Sequence, residues 1–211
     1  MENYLLSNTI APKTALGIDD LILRNTAIFA RPVTENETQA YNDVTALPRV
    51  VVTRPPKQEL LAADMVPYDC HTNCATQEAN DTTGSSRHVF GWMVLGEDLI
   101  LHSVVKMGSQ WLCLTPQTVE LSSRFDFIPD PLIEWRDADD GVSLVACRQG
   151  KELPEFLRKD PEHHIRMYNE LLRLVASGVS VVEARDIVSS TLGKPWLVGD
   201  KLPLPEAKPN E

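Results

Sequence analysis

The stretch "HVFGWMVLGEDLILHSVVKMGSQWLCLTP", residues 88–116, decides the reading of this chain. Three apolar runs are separated by Gly96-Glu97-Asp98 and by Gly108-Ser109. β-Branched and aromatic residues broken by glycine-led turns are the mark of antiparallel hairpins. A Gly-X pair suits a two-residue type II′ turn, because glycine reaches positive φ without steric cost. That turn fixes a register in which Met107 faces Gln110, Val104 faces Cys113 and His102 faces Thr115. Side chains alternate along a strand. His102, Val104 and Lys106 therefore share a face with Trp111, Cys113 and Thr115, and the opposite face is more uniformly apolar.

Upstream lies "DCHTNC", residues 69–74, with two cysteines, a histidine and an acid in a chain of four cysteines. Pro67 halts the preceding segment and Asp69 is placed to cap a short helix over Cys70–Asn80. A cysteine in the first turn of a helix feels the helix dipole, which lowers its pKa. The adjacent Asp69 raises it unless its carboxylate turns to the cap. With this helix laid on the polar face of the hairpin, Cys70 reads as nucleophile, His102 as base and Thr115 as the group that orients the imidazole. Asn73, Trp92 and Trp111 are the candidate pocket residues.

The same order of elements resembles the papain-like and transglutaminase-like cysteine hydrolases. The matching residues are Cys70-His71-Thr72-Asn73, Gly91-Trp92, His102, Trp111 and Thr115-Pro116, over roughly residues 66–118. The resemblance implies an α+β fold whose core is a helix packed on an antiparallel sheet. It also implies a Cys-His pair acting on an amide, ester or thioester of a small-molecule or peptide substrate, without a cofactor. Thr115 stands where the transglutaminase-like pattern has an acid, and a threonine orients an imidazole without stabilising its charge.

Two other readings stay open. The fold without the acid is also that of a non-catalytic binding or assembly module. Cys70, His71, Cys74 and His102 together offer zinc-like ligands, although their spacing matches no common zinc knuckle. Cys74, one turn beyond Cys70, reads as packing. Cys113 and Cys147 lie in the apolar runs "WLCL" and "LVAC" and read as structural. His163-His164 reads as solvated. "DADDG", residues 137–141, reads as a turn, since it lacks the ligand spacing of a calcium loop.

Outward from this core, "AIFARPV" and "RVVVTRP" read as short strands stopped by proline, and "KQELLAAD" as a helical turn or two. "PEFLRKDPEHHIRMYNELLRLVASG", residues 154–178, carries Ile165, Tyr168, Leu171, Leu172 and Val175 at helical spacing. Gly178 ends that helix, and Ser180 with Glu183 forms a capping box for the next. The organisation expected is a core over 1–150, a C-terminal helical segment of the same domain over 151–196 and a flexible tail over 197–211.

The chain has 211 residues, 43% of them hydrophobic, and a formal charge of -10. It is long enough for a true core. Its acidity and the lack of a basic patch argue against nucleic acid. It has no apolar run of membrane-spanning length. The N-terminal residues lack a basic n-region, and the cysteine spacing is not a disulfide framework, so a cytoplasmic location is expected. Phosphate-binding glycine loops and the GxSxG elbow are missing. Oligomeric state is left open by the sequence.

Overall fold

The computed structural model describes residues 17–117, 122–138 and 144–193. In chain order its helices are α1 (Ile18–Phe29), α2 (Glu37–Thr45), α3 (Lys57–Ala62), α4 (Cys70–Asn80), α5 (Pro161–Ala176) and α6 (Val181–Thr191). Its strands are β1 (Val50–Thr53), β2 (Ser86–Leu95), β3 (Asp98–Met107), β4 (Gln110–Leu112), β5 (Arg124–Pro129), β6 (Ile133–Asp137), β7 (Leu144–Arg148), β8 (Lys151–Glu152) and β9 (Phe156–Leu157). The protein is α+β, and none of its described helices is long and apolar enough to cross a membrane.

The hairpins form as the turn chemistry requires. Leu95 pairs with Asp98 and Met107 with Gln110, so each loop has two residues. In each loop the first residue, Gly96 or Gly108, takes positive φ (64° and 58°). These hairpins are part of a mixed barrel with strand order β2-β5-β1-β4-β3, closed because β2 also pairs with β3. The β1–β4 pairing is parallel and the other barrel pairings are antiparallel. β9 adds to β3 beyond β4.

The expected register holds only as far as Leu112. There the Cys113 N–H leaves β3 and donates to Thr53 O on β1, at 2.9 Å. The β3–β4 ladder therefore ends at Val105–Leu112, and the strand residue opposite His102 is Gly91 on β2, not Thr115. The third strand switches neighbours to close the barrel, a tertiary event that the turn alone does not encode.

Two sets of side chains line β3. Val104 joins Val52, Cys113 and Phe127 in the barrel interior. Val105 joins Leu60 of α3, Cys74 of α4 and Leu114 on the outside. Helix α2 is tied to the barrel by a buried ion pair. Arg158 Nε donates to Glu37 Oε1 at 2.7 Å and its Nη2 to Oε2 at 2.6 Å, with both side chains fully buried. The Arg158 backbone N–H adds a third bond to the same carboxylate, at 3.1 Å.

The chain divides into two compact units. Among the described residues, one comprises 37–117, 122–133 and 154–159 and holds the barrel; the other comprises 17–36, 134–138, 144–153 and 160–193. In the second, α1, α5 and α6 bury Ile22, Met167, Leu171, Val181, Ala184 and Val188 together. α1 thus packs with the C-terminal helices of the segment expected over 151–196. "AIFARPV", expected as a strand, begins as the last turn of α1: the i, i+4 pair Ile22 and Thr26 is buried in this helix, and packing overrides the β-branched composition. Ser180 caps α6 as read, accepting the Glu183 N–H at 3.3 Å. The expected tail and residues 139–141 of "DADDG" lie outside the described residues.

Gly91 is the tightest point of the barrel. A Cβ there would meet Ile128 O at 2.2 Å and Phe127 Cζ at 2.6 Å. Gly91→Ala is expected to lower stability by about 2–3 kcal/mol, through overpacking against backbone that cannot yield. A urea titration checks this, and an unchanged midpoint would show that β2 and β5 can separate without penalty.

Candidate functional site

Cys70 opens α4 as the sequence implies, and Asp69 caps it: its Oδ1 accepts the Thr72 N–H at 3.2 Å. The first turn meets the edge of β3 between two strand pairings. On one side Leu101 N–H donates to Glu155 O at 2.8 Å, and on the other Val105 pairs with Leu112. Between them the Ser103 N–H donates to the Cys70 sulfur, which also feels its own N–H. These donors favour thiolate. Burial outweighs them and, with lesser contributions from Cys113 and Asp69, pushes the thiol up to about 11. The lowered pKa expected of a helix-start cysteine is therefore reversed, because the first turn packs against the barrel and half-buries the thiol.

His102 points the other way from Ser103, into the barrel, and is 6% exposed. Its Nε2 lies 3.3 Å from Cys113 Sγ, within hydrogen-bonding distance. Arg54, immediately after β1, donates from Nε to the same sulfur at 3.4 Å. The Phe125 ring stands edge-on to the imidazole, with 6.0 Å between centres. Burial first, then the Arg54 charge and that of His71, hold His102 down at about 3. It is a neutral imidazole at physiological pH.

Thr115 does not orient this ring. Its hydroxyl is buried and has no hydrogen-bond partner, and Cys113 occupies the orienting place beside Nε2. Alternation had already set Cys113 on His102's face. Its apolar neighbours masked its role. Arg54 carried no sequence signal, because only the parallel β1–β4 pairing brings it to Cys113.

Outside the barrel, Ser103 Oγ is shared by two histidines. His71 Nδ1 lies 2.6 Å away and His88 Nε2 2.8 Å away. A hydroxyl can donate to one neutral ring and accept N–H from the other. Burial lowers both, His71 to about 4, with the His88 charge adding to the effect on His71. Cys74 is buried among apolar side chains, and burial raises its thiol well above the usual range.

The expected pocket residues have other work. Asn73 is buried: its Oδ1 accepts the Val66 N–H at 2.8 Å, and its Nδ2 donates to Val66 O at 2.8 Å and Leu114 O at 3.0 Å. It braces α4 against the segments on either side. Trp92 is fully buried and donates its indole N–H to Asp130 Oδ2 at 3.2 Å. Trp111 is half-buried beneath Lys106, whose Nζ lies 5.3 Å from the ring centre.

The metal reading loses its geometry as well. Among the described residues no three His, Cys, Asp or Glu side chains are grouped to hold an ion. Of the four proposed ligands, His71 turns to Ser103, Cys74 to the apolar cluster and His102 to Cys113. On the second unit His164 stacks on Phe29, with 5.4 Å between centres, where a solvated residue was expected.

No protein-family model, curated protein or solved structure matches the chain.

Neutral buried histidines make stability depend on pH. The folded pKa values of His71, His88 and His102 all lie below the ordinary value near 6.5, so the unfolded chain takes up protons first on acidification. Their contribution is complete above about pH 6.5 and is lost as pH falls toward the folded values near 4 and 3. Each adds a slope of up to about 1.4 kcal/mol per pH unit in that window. Urea midpoints measured from pH 7 to pH 4 should fall more steeply for the wild type than for His102→Gln. Equal slopes would mean that His102 is protonated in the folded state.

Proposed function

We propose that this protein performs thiol-dependent acyl chemistry, hydrolysis or transfer at an amide, ester or thioester carbonyl, on a barrel related in plan to the papain-like and transglutaminase-like core. One observation carries the reading. A helix-opening cysteine meets the edge of β3 at Ser103, the residue next to a histidine whose ring is held by a third side chain.

In this reading the resting pair is a neutral thiol and a neutral imidazole, not a thiolate–imidazolium pair. The base must act during attack, as it does for a hydroxyl nucleophile. With the His102 Nε2–H donated to Cys113, Nδ1 is the nitrogen that accepts the thiol proton, and the mechanism requires the ring and the Cys70 sulfur to be brought together during attack. The Cys70 sulfur bonds to the carbonyl carbon, and the imidazolium returns its proton to the leaving group as the carbonyl re-forms. The thioester is then resolved by water or by a second nucleophile. The Cys70 and Ser103 N–H groups supply donors for the oxyanion. The substrate is a small acyl compound or a peptide.

A second reading, a non-catalytic binding or assembly module, is favoured by the complete burial of Cys113 and the near-complete burial of His102. A p-nitrophenyl ester separates the two. The acyl reading predicts that p-nitrophenyl acetate acylates Cys70 at pH 8, seen by intact mass, and that His102→Gln slows acylation by about 100-fold. Iodoacetamide labelling of Cys70 should be slow at neutral pH and climb about tenfold per unit toward its pKa near 11. Acylation that persists in Cys70→Ser, or that ignores His102→Gln, would leave the binding module as the better account.

A further inference from the structure

Arg54 carries a charge that the acyl reading does not use. It is 9% exposed. Its Nε donates to Cys113 Sγ at 3.4 Å, its Nη1 to Ser122 O at 3.1 Å, and its guanidinium carbon lies 5.0 Å from the centre of the Phe125 ring. Its Nη2 is buried with no hydrogen-bond partner, and no described carboxylate pairs with it. The contrast with Arg158 is direct: that guanidinium is buried still more completely, and its fork closes on Glu37. A buried cation without a counter-anion is the costly arrangement, and an unused guanidinium N–H is built to bind an oxyanion.

We propose that Arg54 receives a carboxylate of the substrate, so that the acyl compounds taken by this site carry an acid group close to the reacting carbonyl. This inference rests on the acyl reading above. One guanidinium balances one negative charge, which fits a carboxylate better than a phosphate dianion. The location adds a consequence. Arg54 is one of the charges that hold His102 down, so an anion on Arg54 relieves that effect and makes His102 a better base. The substrate then contributes the negative charge that Thr115 does not bring. Nη2 is closed off from water, so entry of the carboxylate requires a local opening.

The test is titration of the full chain with succinate and, at matched ionic strength, with neutral succinamide, following the His102 ring by 15N NMR and the thermal midpoint. Succinate should shift the His102 signals saturably and raise the midpoint, and succinamide should do neither. Arg54→Met, checked for folding by circular dichroism, should weaken succinate binding at least about tenfold, with partial retention in Arg54→Lys. Equal responses to the two compounds, or wild-type succinate binding by Arg54→Met, would overturn the inference. If Arg54→Met does not fold, the wild-type comparison decides alone. Kinetics separate this inference from the reading beneath it. Arg54-dependent succinate binding without acylation of Cys70 removes the acyl reading and leaves a carboxylate site. Acylation of Cys70 with no preference for p-nitrophenyl hydrogen succinate over the acetate ester leaves the acyl reading and removes the acidic substrate.

Discussion

The barrel depends on β2 pairing with two strands at once, and that double pairing depends on the missing side chain at Gly91. Gly91 lies opposite His102 on β3 and opposite Pro129 on β5. With a Cβ only 2.2 Å from Ile128 O, no other residue lets the two backbones approach so closely. Closure turns β3 into a wall with an inside and an outside. Because side chains alternate, consecutive residues serve different chemistry: His102 meets Cys113 within, and Ser103 meets His71 and His88 without. The gap on the edge of β3 between β4 and β9 then gives Cys70 a place to dock against the peptide that joins them.

Burial governs the electrostatics of this region. It raises Cys70 and Cys74 and lowers His71, His88 and His102, and it is the largest cause in each case. The outcome is a set of neutral groups joined by hydrogen bonds. That state suits a general-base mechanism and opposes a preformed ion pair. Two buried arginines show the same rule applied to charge. Arg158 is matched by Glu37, and the pair anchors α2 to the barrel. Arg54 is spread over the Cys113 sulfur, a carbonyl and an aromatic face, and no described carboxylate pairs with it.

Much of the local structure was legible. The α4 helix, its Asp69 cap, the two-residue Gly108-Ser109 loop and the Ser180 cap of α6 follow from turn and cap chemistry, which acts within a few residues; the other turn, read as Gly96-Glu97-Asp98, is one residue shorter because Asp98 pairs with Leu95. The reading failed where distant segments compete. "AIFARPV" has strand composition, yet α1 forms because its Ile22 face is buried against α5 and α6. Thr115 was set opposite His102 by extending a correct register past the point where Cys113 turns to Thr53.

The sequence by itself determined the elements around Cys70 and His102, since caps, glycine turns and strand alternation are local and strongly constrained. It also set Cys113 on the same face as His102. Only the tertiary structure decided what those residues do to one another. The parallel β1–β4 pairing brings Arg54 to Cys113, and closure of the barrel buries His102. Packing of α4 on β3 half-buries Cys70 and reverses the pKa shift that a helix start alone would produce. The reason is one of range: hydrogen-bonded turns are decided by neighbours in the chain, whereas desolvation and charge pairing are decided by whatever the fold brings near.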